Sequence, residues 1–76
     1  MENTGTPPYA RLANEIAVQF TRRPFDEASE AVAAHIRKFW DPRMRGQLMA
    51  HAVAGGEGLH PIAAKAAELL QQQTIR

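Results

Sequence analysis

Alanine supplies 14 of the 34 hydrophobic residues in this 76-residue chain, leaving 20 larger apolar side chains, three of them methionine, from which to build an interior. A chain of this length is one small domain, burying only about 60% of the surface its unfolded form exposes, so the supports open to it are a disulfide, a metal or a partner chain. No cysteine is present. Disulfides, thiolate zinc sites and iron–sulfur ligation are therefore closed to it.

Nine Lys and Arg against eight Asp and Glu give a formal charge of +1. Such a balance supplies no strong field for nucleic acid, although a local basic patch remains open. The N-terminal Met-Glu-Asn-Thr-Gly-Thr-Pro-Pro carries an acid and no apolar run, unlike a secretory signal. No stretch approaches the roughly 20 apolar residues of a membrane helix, so no membrane partner is expected.

Prolines and glycines divide the chain into four segments of helical period. Residues 1–8, polar and ending in Pro7-Pro8, read as a flexible arm, ordered only by a partner. From Tyr9 to about Arg22, Leu12, Ile16 and Phe20 with Ala13 and Ala17 form a helical stripe, and Val18 lies off it. Arg22-Arg23-Pro24-Phe25 breaks that helix, and Asp26-Glu27 offers an N-cap and an acidic first turn to the next. The second helix should run from about Glu27 to Phe39 or Trp40, with Ala28, Val32, His35, Ile36, Phe39 and Trp40 in one arc and Glu30, Arg37 and Lys38 outside it. Asp41-Pro42 ends it and starts a third helix, to about Ala54, because Asp is a good N-cap and Pro suits the first helical position. That helix looks two-sided: Met44, Leu48, His51 and Ala52 on one side, Met49 and Val53 reaching toward the other. Gly55-Gly56 supplies a left-handed stop, and Pro61 opens a fourth helix striped by Ile62, Ala66, Leu69 and Leu70. No alternating run of branched or aromatic residues suggests a strand. The expected fold is an all-α bundle of four short helices with tight Pro- and Gly-marked corners, spanning residues 9–70 as one domain, with 71–76 a frayed tail.

The polar residues give little chemistry. His35, His51 and His60 stand in no zinc motif, and a half-buried histidine is more often satisfied by a backbone carbonyl than by a metal. Ser29, the sole serine, is six residues from His35, on a different side of the helix, with no oxyanion nest, and reads as a solvated or first-turn residue. Gly55-Gly56-Glu57-Gly58 lacks the lysine and preceding strand of a phosphate loop. No catalytic, cofactor-binding or metal-binding residue is assigned.

Surface chemistry is more informative. Arg37, Lys38, Arg43 and Arg45 bracket Phe39-Trp40. A nucleic-acid groove could use such a mixture, but Arg37 and Lys38 point away from the apolar arc, and Trp, Arg and Met are the residues enriched where proteins dock. Val18, the second side of helix three and the aromatic end of helix two exceed what so small a unit can bury, so part of this surface should face another protein. The candidate interface is Arg37, Phe39, Trp40, Arg43, Met44 and Arg45, with Trp40 as an anchor, Arg43 or Arg45 as a fork toward partner carboxylates or carbonyls, and the Asp41-Pro42 corner fixing the angle between the docking helices.

The run His35-Ile36-Arg37-Lys38-Phe39-Trp40-Asp41-Pro42-Arg43-Met44-Arg45, with Leu12-Ala13-Asn14-Glu15-Ile16 before it and Gly55-Gly56-Glu57-Gly58-Leu59-His60-Pro61 after it, resembles the delta subunit of soluble, NAD-dependent, molybdenum-containing formate dehydrogenases. The likeness runs from about Arg11 to Leu70. Leu12 stands where that family often has Met, Glu15 where it often has Gln, and His60 where Asp often precedes the proline, which removes a good N-cap from helix four. The resemblance implies a cytoplasmic complex in which an alpha subunit with a molybdenum (or tungsten) bis-guanine-dinucleotide cofactor oxidises formate. Electrons then pass through iron–sulfur clusters to a beta subunit with FMN that reduces NAD, assisted by a gamma subunit. The chain would be a non-catalytic accessory subunit that binds the alpha subunit and supports assembly or stability. Alternatives from the residues alone are a small helical nucleic-acid-binding regulator and a transient assembly chaperone.

Overall fold

The computed structural model describes residues 7–74, which form four helices: α1 (Pro8–Gln19), α2 (Phe25–Phe39), α3 (Pro42–Val53) and α4 (Pro61–Thr74). The expected all-α class holds. The arm expected over residues 1–8 lies largely outside the described residues; Pro8 is already helical, with extended Pro7 before it. Helix α4 continues to Thr74, and residues 75–76 of the expected tail lie outside the described residues.

Helix starts follow proline. α2 begins two residues earlier than Asp26-Glu27 suggested: extended Pro24 (ψ 149°) precedes Phe25, and its carbonyl accepts from Ala28 N–H at 2.8 Å. Asp26 and Glu27 therefore sit inside the first turn, complementing its positive dipole end instead of capping it. α3 is capped as expected, Asp41 Oδ1 accepting from Met44 N–H at 2.8 Å. At its other end Gly55 N–H donates to Ala52 O at 3.2 Å and Gly56 N–H to His51 O at 2.9 Å, the paired bonds of a Schellman motif. Both glycines have positive φ, 128° and 63°, which a side chain at either would strain.

Packing is dominated by alanine. Of the thirteen buried hydrophobic residues, eight are alanines: 10, 13 and 17 on α1, 28 and 33 on α2, and 63, 66 and 67 on α4. α4 packs most extensively against α2 and also touches α1 and α3, while α1 touches all three others. Small contact residues let these helices approach closely. Val32, Ile36, Leu48, Ile62 and Leu70 complete the interior, with Tyr9, Ile16, Phe20, Trp40, Met49, Leu59 and Leu69 packed around it.

This packing corrects three expectations. The α1 stripe of Leu12, Ile16 and Phe20 with Ala13 and Ala17 is the buried face only in part: Ala13 and Ala17 are fully buried, as is Ala10 beside them, Ile16 and Phe20 lie at the margin, and Leu12 is 43% exposed. α3 is less two-sided than its sequence, since Met49 folds against the core and Val53 alone stays out. Ser29, expected as a solvated or first-turn residue, is fully buried just past the first turn of α2, its hydroxyl without a partner among the described residues.

Polar staples hold the α3–α4 loop to α1. Asn14 Nδ2 donates to Gly58 O at 2.8 Å while its Oδ1 accepts from His60 N–H at 2.8 Å. His51 Nε2 lies 2.7 Å from Glu57 O, so it carries the proton in the neutral ring and leaves Nδ1 to accept from the Tyr9 hydroxyl at 3.5 Å. The cap that α4 was expected to lack is supplied by His60 itself, whose Nδ1 accepts from Ile62 N–H at 3.1 Å.

Two stability measurements check this account. Ala66→Leu should destabilise by about 1–3 kcal/mol in urea titration because it forces α4 away from its neighbours, whereas Ala34→Leu on the exposed face of α2 should change stability by less than about 0.5 kcal/mol. Asn14→Ala removes both staples at once and should cost about 1 kcal/mol or more, with faster hydrogen exchange at the His60 amide.

Candidate partner interface

The candidate interface residues all lie at the junction of α2 and α3, and its backbone is defined by four consecutive constraints. Trp40 N–H closes α2 onto Ile36 O at 2.9 Å, then Trp40 and Asp41 turn extended (ψ 147° and 161°), as a residue before proline must to avoid the ring. Pro42 opens α3 with the fixed φ a first helical position requires, and Asp41 caps it. Arg45 then reaches back one turn: its Nη1 donates to Arg37 O at 3.2 Å, satisfying a carbonyl near the C-terminus of α2. Since α2 and α3 otherwise scarcely touch, this clasp and the capped corner set how the two helices diverge.

The side chains separate into three groups. Trp40 is half-buried against the core and helps fix the corner, so only part of it is available as an anchor. Met44 is likewise half-buried. Phe39 is the bare aromatic, 68% exposed, outside the buried arc in which its sequence pattern placed it. Its ring is flanked by His35, one turn back, at 4.9 Å between centroids, and by Lys38 Nζ at 5.7 Å from the ring centre. Phe25, 47% exposed, lies on the same face at the other end of α2, about 21 Å away along the axis. The buried Ala28, Val32 and Ile36 lie between them.

Local physics accounts for some of the cations and not for others. Arg37 and Lys38 occupy the last turn of α2, where positive charge complements the helix dipole, and Arg45 brings its guanidinium to the same end. Arg43 is exposed in the first turn of α3, beside the positive end of that dipole, a placement that costs about 0.3–1 kcal/mol. It makes no hydrogen bond or ion pair among the described residues, and the nearby carboxylate of Asp41 is engaged by Met44 N–H.

Histidines expected on neighbouring apolar arcs are used separately, His35 against Phe39 and His51 between Tyr9 and Glu57. Among the described residues no group of three or more His, Cys, Asp or Glu is placed to hold a metal, and no pocket is found. No helix among them is long and apolar enough to cross a membrane. The residues missed in the sequence are Asn14, whose side chain contacts backbone 44 and 46 residues away, for which no local pattern exists, and His60, whose ring caps α4 in place of the usual carboxylate or hydroxyl.

Fold and site thus define a small all-α domain whose surface bears a rigid corner with a bare phenyl ring among cations. The family described as NADH-dependent formate dehydrogenase delta subunit, FdsD, matches residues 10–67, and the chain belongs to that family. Neither curated proteins nor solved structures yielded a match.

The cap is the most directly tested element of the corner. Asp41→Ala should cost about 1 kcal/mol in urea titration and speed hydrogen exchange at the Met44 amide.

Proposed function

We propose that the chain is a non-catalytic accessory subunit that binds the alpha subunit of an NAD-dependent formate dehydrogenase in the cytoplasm and supports assembly or stability of the holoenzyme, which converts formate and NAD to carbon dioxide and NADH. The observation that carries this reading is an exposed Phe39 on a fixed corner, in a chain of the delta-subunit family. A phenyl ring held out in water gains free energy only when something covers it. The alpha subunit, with beta and gamma in the same complex, would provide the cover, and the molybdenum or tungsten cofactor, iron–sulfur clusters and FMN would reside in those subunits. This chain has no thiolate to offer a cluster. Arg37, Phe39, Trp40, Arg43, Met44 and Arg45 form the docking surface, with Phe39 the anchor and Trp40 its support.

The mechanism is linkage: a subunit that binds the folded alpha subunit but not its open form stabilises the folded form by mass action. Stabilisation grows with the free concentration of the chain relative to its dissociation constant, and no chemical step is required of it.

Co-expression of the tagged chain with the other subunits tests the proposal. The chain should be recovered stoichiometrically with a large molybdenum and iron–sulfur subunit and with formate-dependent NAD reduction, and its omission should lower holoenzyme yield. Phe39→Ala should reduce co-recovery several-fold while Lys65→Ala leaves it unchanged. Recovery with the immature alpha subunit alone would make the chain a transient chaperone; recovery of the chain by itself would sink the reading.

A further inference from the structure

The corner holds two features that its own stability does not explain, the bare ring of Phe39 and the cation of Arg43, without a partner among the described residues, at the wrong end of a helix dipole. They stand in a strongly asymmetric charge distribution. Between Arg37 and Arg45 there are four Lys or Arg side chains and one carboxylate, Asp41, while the rest of the chain is net negative. The single acid, the exposed Asp41, caps α3 through its Oδ1 and forms no ion pair with its neighbours among the described residues. The modest overall charge therefore conceals a positively charged stretch at the α2–α3 corner.

We propose that the surface receiving this corner is a protein surface with an acidic rim around an apolar pocket: Phe39 enters the pocket, and Arg43 and Lys38 meet carboxylates on the rim. This rests on the subunit reading above and adds the chemistry of the partner. Charge complementarity selects it. An uncharged partner would leave Arg43 desolvated without a counter-ion, and a phosphate backbone would give the apolar ring of Phe39 nothing to be buried against. The two elements divide the work. Cations at one end of a small dipolar chain orient its approach and raise the association rate, whereas a buried phenyl holds the complex once formed.

The test uses the complex purified from cells lacking this chain, immobilised, with the full-length chain passed over it at a series of ionic strengths. Wild-type association should slow as salt rises. Arg43→Glu should lower the association rate about tenfold at low ionic strength and flatten its salt dependence. Phe39→Ala should leave association nearly unchanged and raise the dissociation rate about tenfold. Arg22→Glu, the same charge change in the α1–α2 turn, should match the wild type, and Arg43→Gln should give an intermediate rate. All the substituted side chains are exposed, and each variant's circular dichroism should overlay that of the wild type. Salt-independent binding, with Arg43→Glu equal to wild type, would overturn the acidic rim and leave the subunit reading intact. Equal slowing by Arg22→Glu would also overturn it, since net charge alone would suffice. Failure of the wild type to bind overturns both readings, and displacement of the complex by a single-stranded oligonucleotide would reassign the corner to phosphate.

Discussion

Close approach of helices through alanine is the constraint on which the rest of this structure depends. Alanine loses no side-chain entropy on burial and favours the helix, so an interior built from it is easy to form. It also removes little apolar surface per residue, where a buried Leu or Ile would contribute about 1.5–3 kcal/mol. With eight alanines among thirteen buried hydrophobic residues, the interior has little room for larger groups. Leu12, Val18, Phe25, Phe39 and Val53 are left outside as a direct result. The thin core and the apolar exterior are one fact, and both point to a chain whose natural state is against another protein.

Polar contacts compensate where the core cannot. The loop between α3 and α4 has few large apolar residues, and it is held by Asn14 and His51, each of which satisfies backbone groups of that loop. Because α3 and α2 meet only at their corner, α1 and α4 carry α3 between them, and the loop staples bear on where α3 lies. The α2–α3 corner is thus fixed from two directions, by the Arg45 clasp from within and by α1 through the loop.

Much of this was legible in the sequence, for reasons that differ by element. Pro42, Pro61, Asp41 and the paired glycines impose backbone geometry regardless of context, and the helix boundaries they mark were read correctly. Which residues of the α1 stripe go deepest was not legible, because periodicity weights Leu12 and Ile16 by their hydrophobicity whereas close packing set Ala13 and Ala17, with Ala10 beside them, innermost by their size. Ser29 escaped for the same reason: its small volume fits the tight α2 face despite its hydroxyl. The His60 cap depends on an imidazole accepting where a carboxylate is the usual residue, a chemical equivalence no spacing rule encodes. At the candidate site, residue identities were legible but exposure was not, so Trp40 and Phe39 exchanged emphasis once packing was known.

A rigid corner matters to association because it removes an ordering cost. A flexible Phe on a loop would lose backbone and side-chain freedom on docking, about 1–2 kcal/mol for each residue immobilised. Here Trp40, Asp41 and Pro42 are already held by a closed helix end, a side-chain cap and a ring-fixed φ, and Arg45 ties the two helices together before any partner arrives. In the proposed docking, the free energy that folding spends on this corner would be recovered as affinity. The same rigidity fixes the geometry in which Phe39 and Arg43 are offered, and a surface that matched the ring but lacked the facing carboxylate would leave a desolvated charge. Under the proposed docking, stability, affinity and discrimination among partners would therefore meet in one three-residue turn, whose pre-formed shape would be difficult to obtain from so small a core by any device other than proline and a cap.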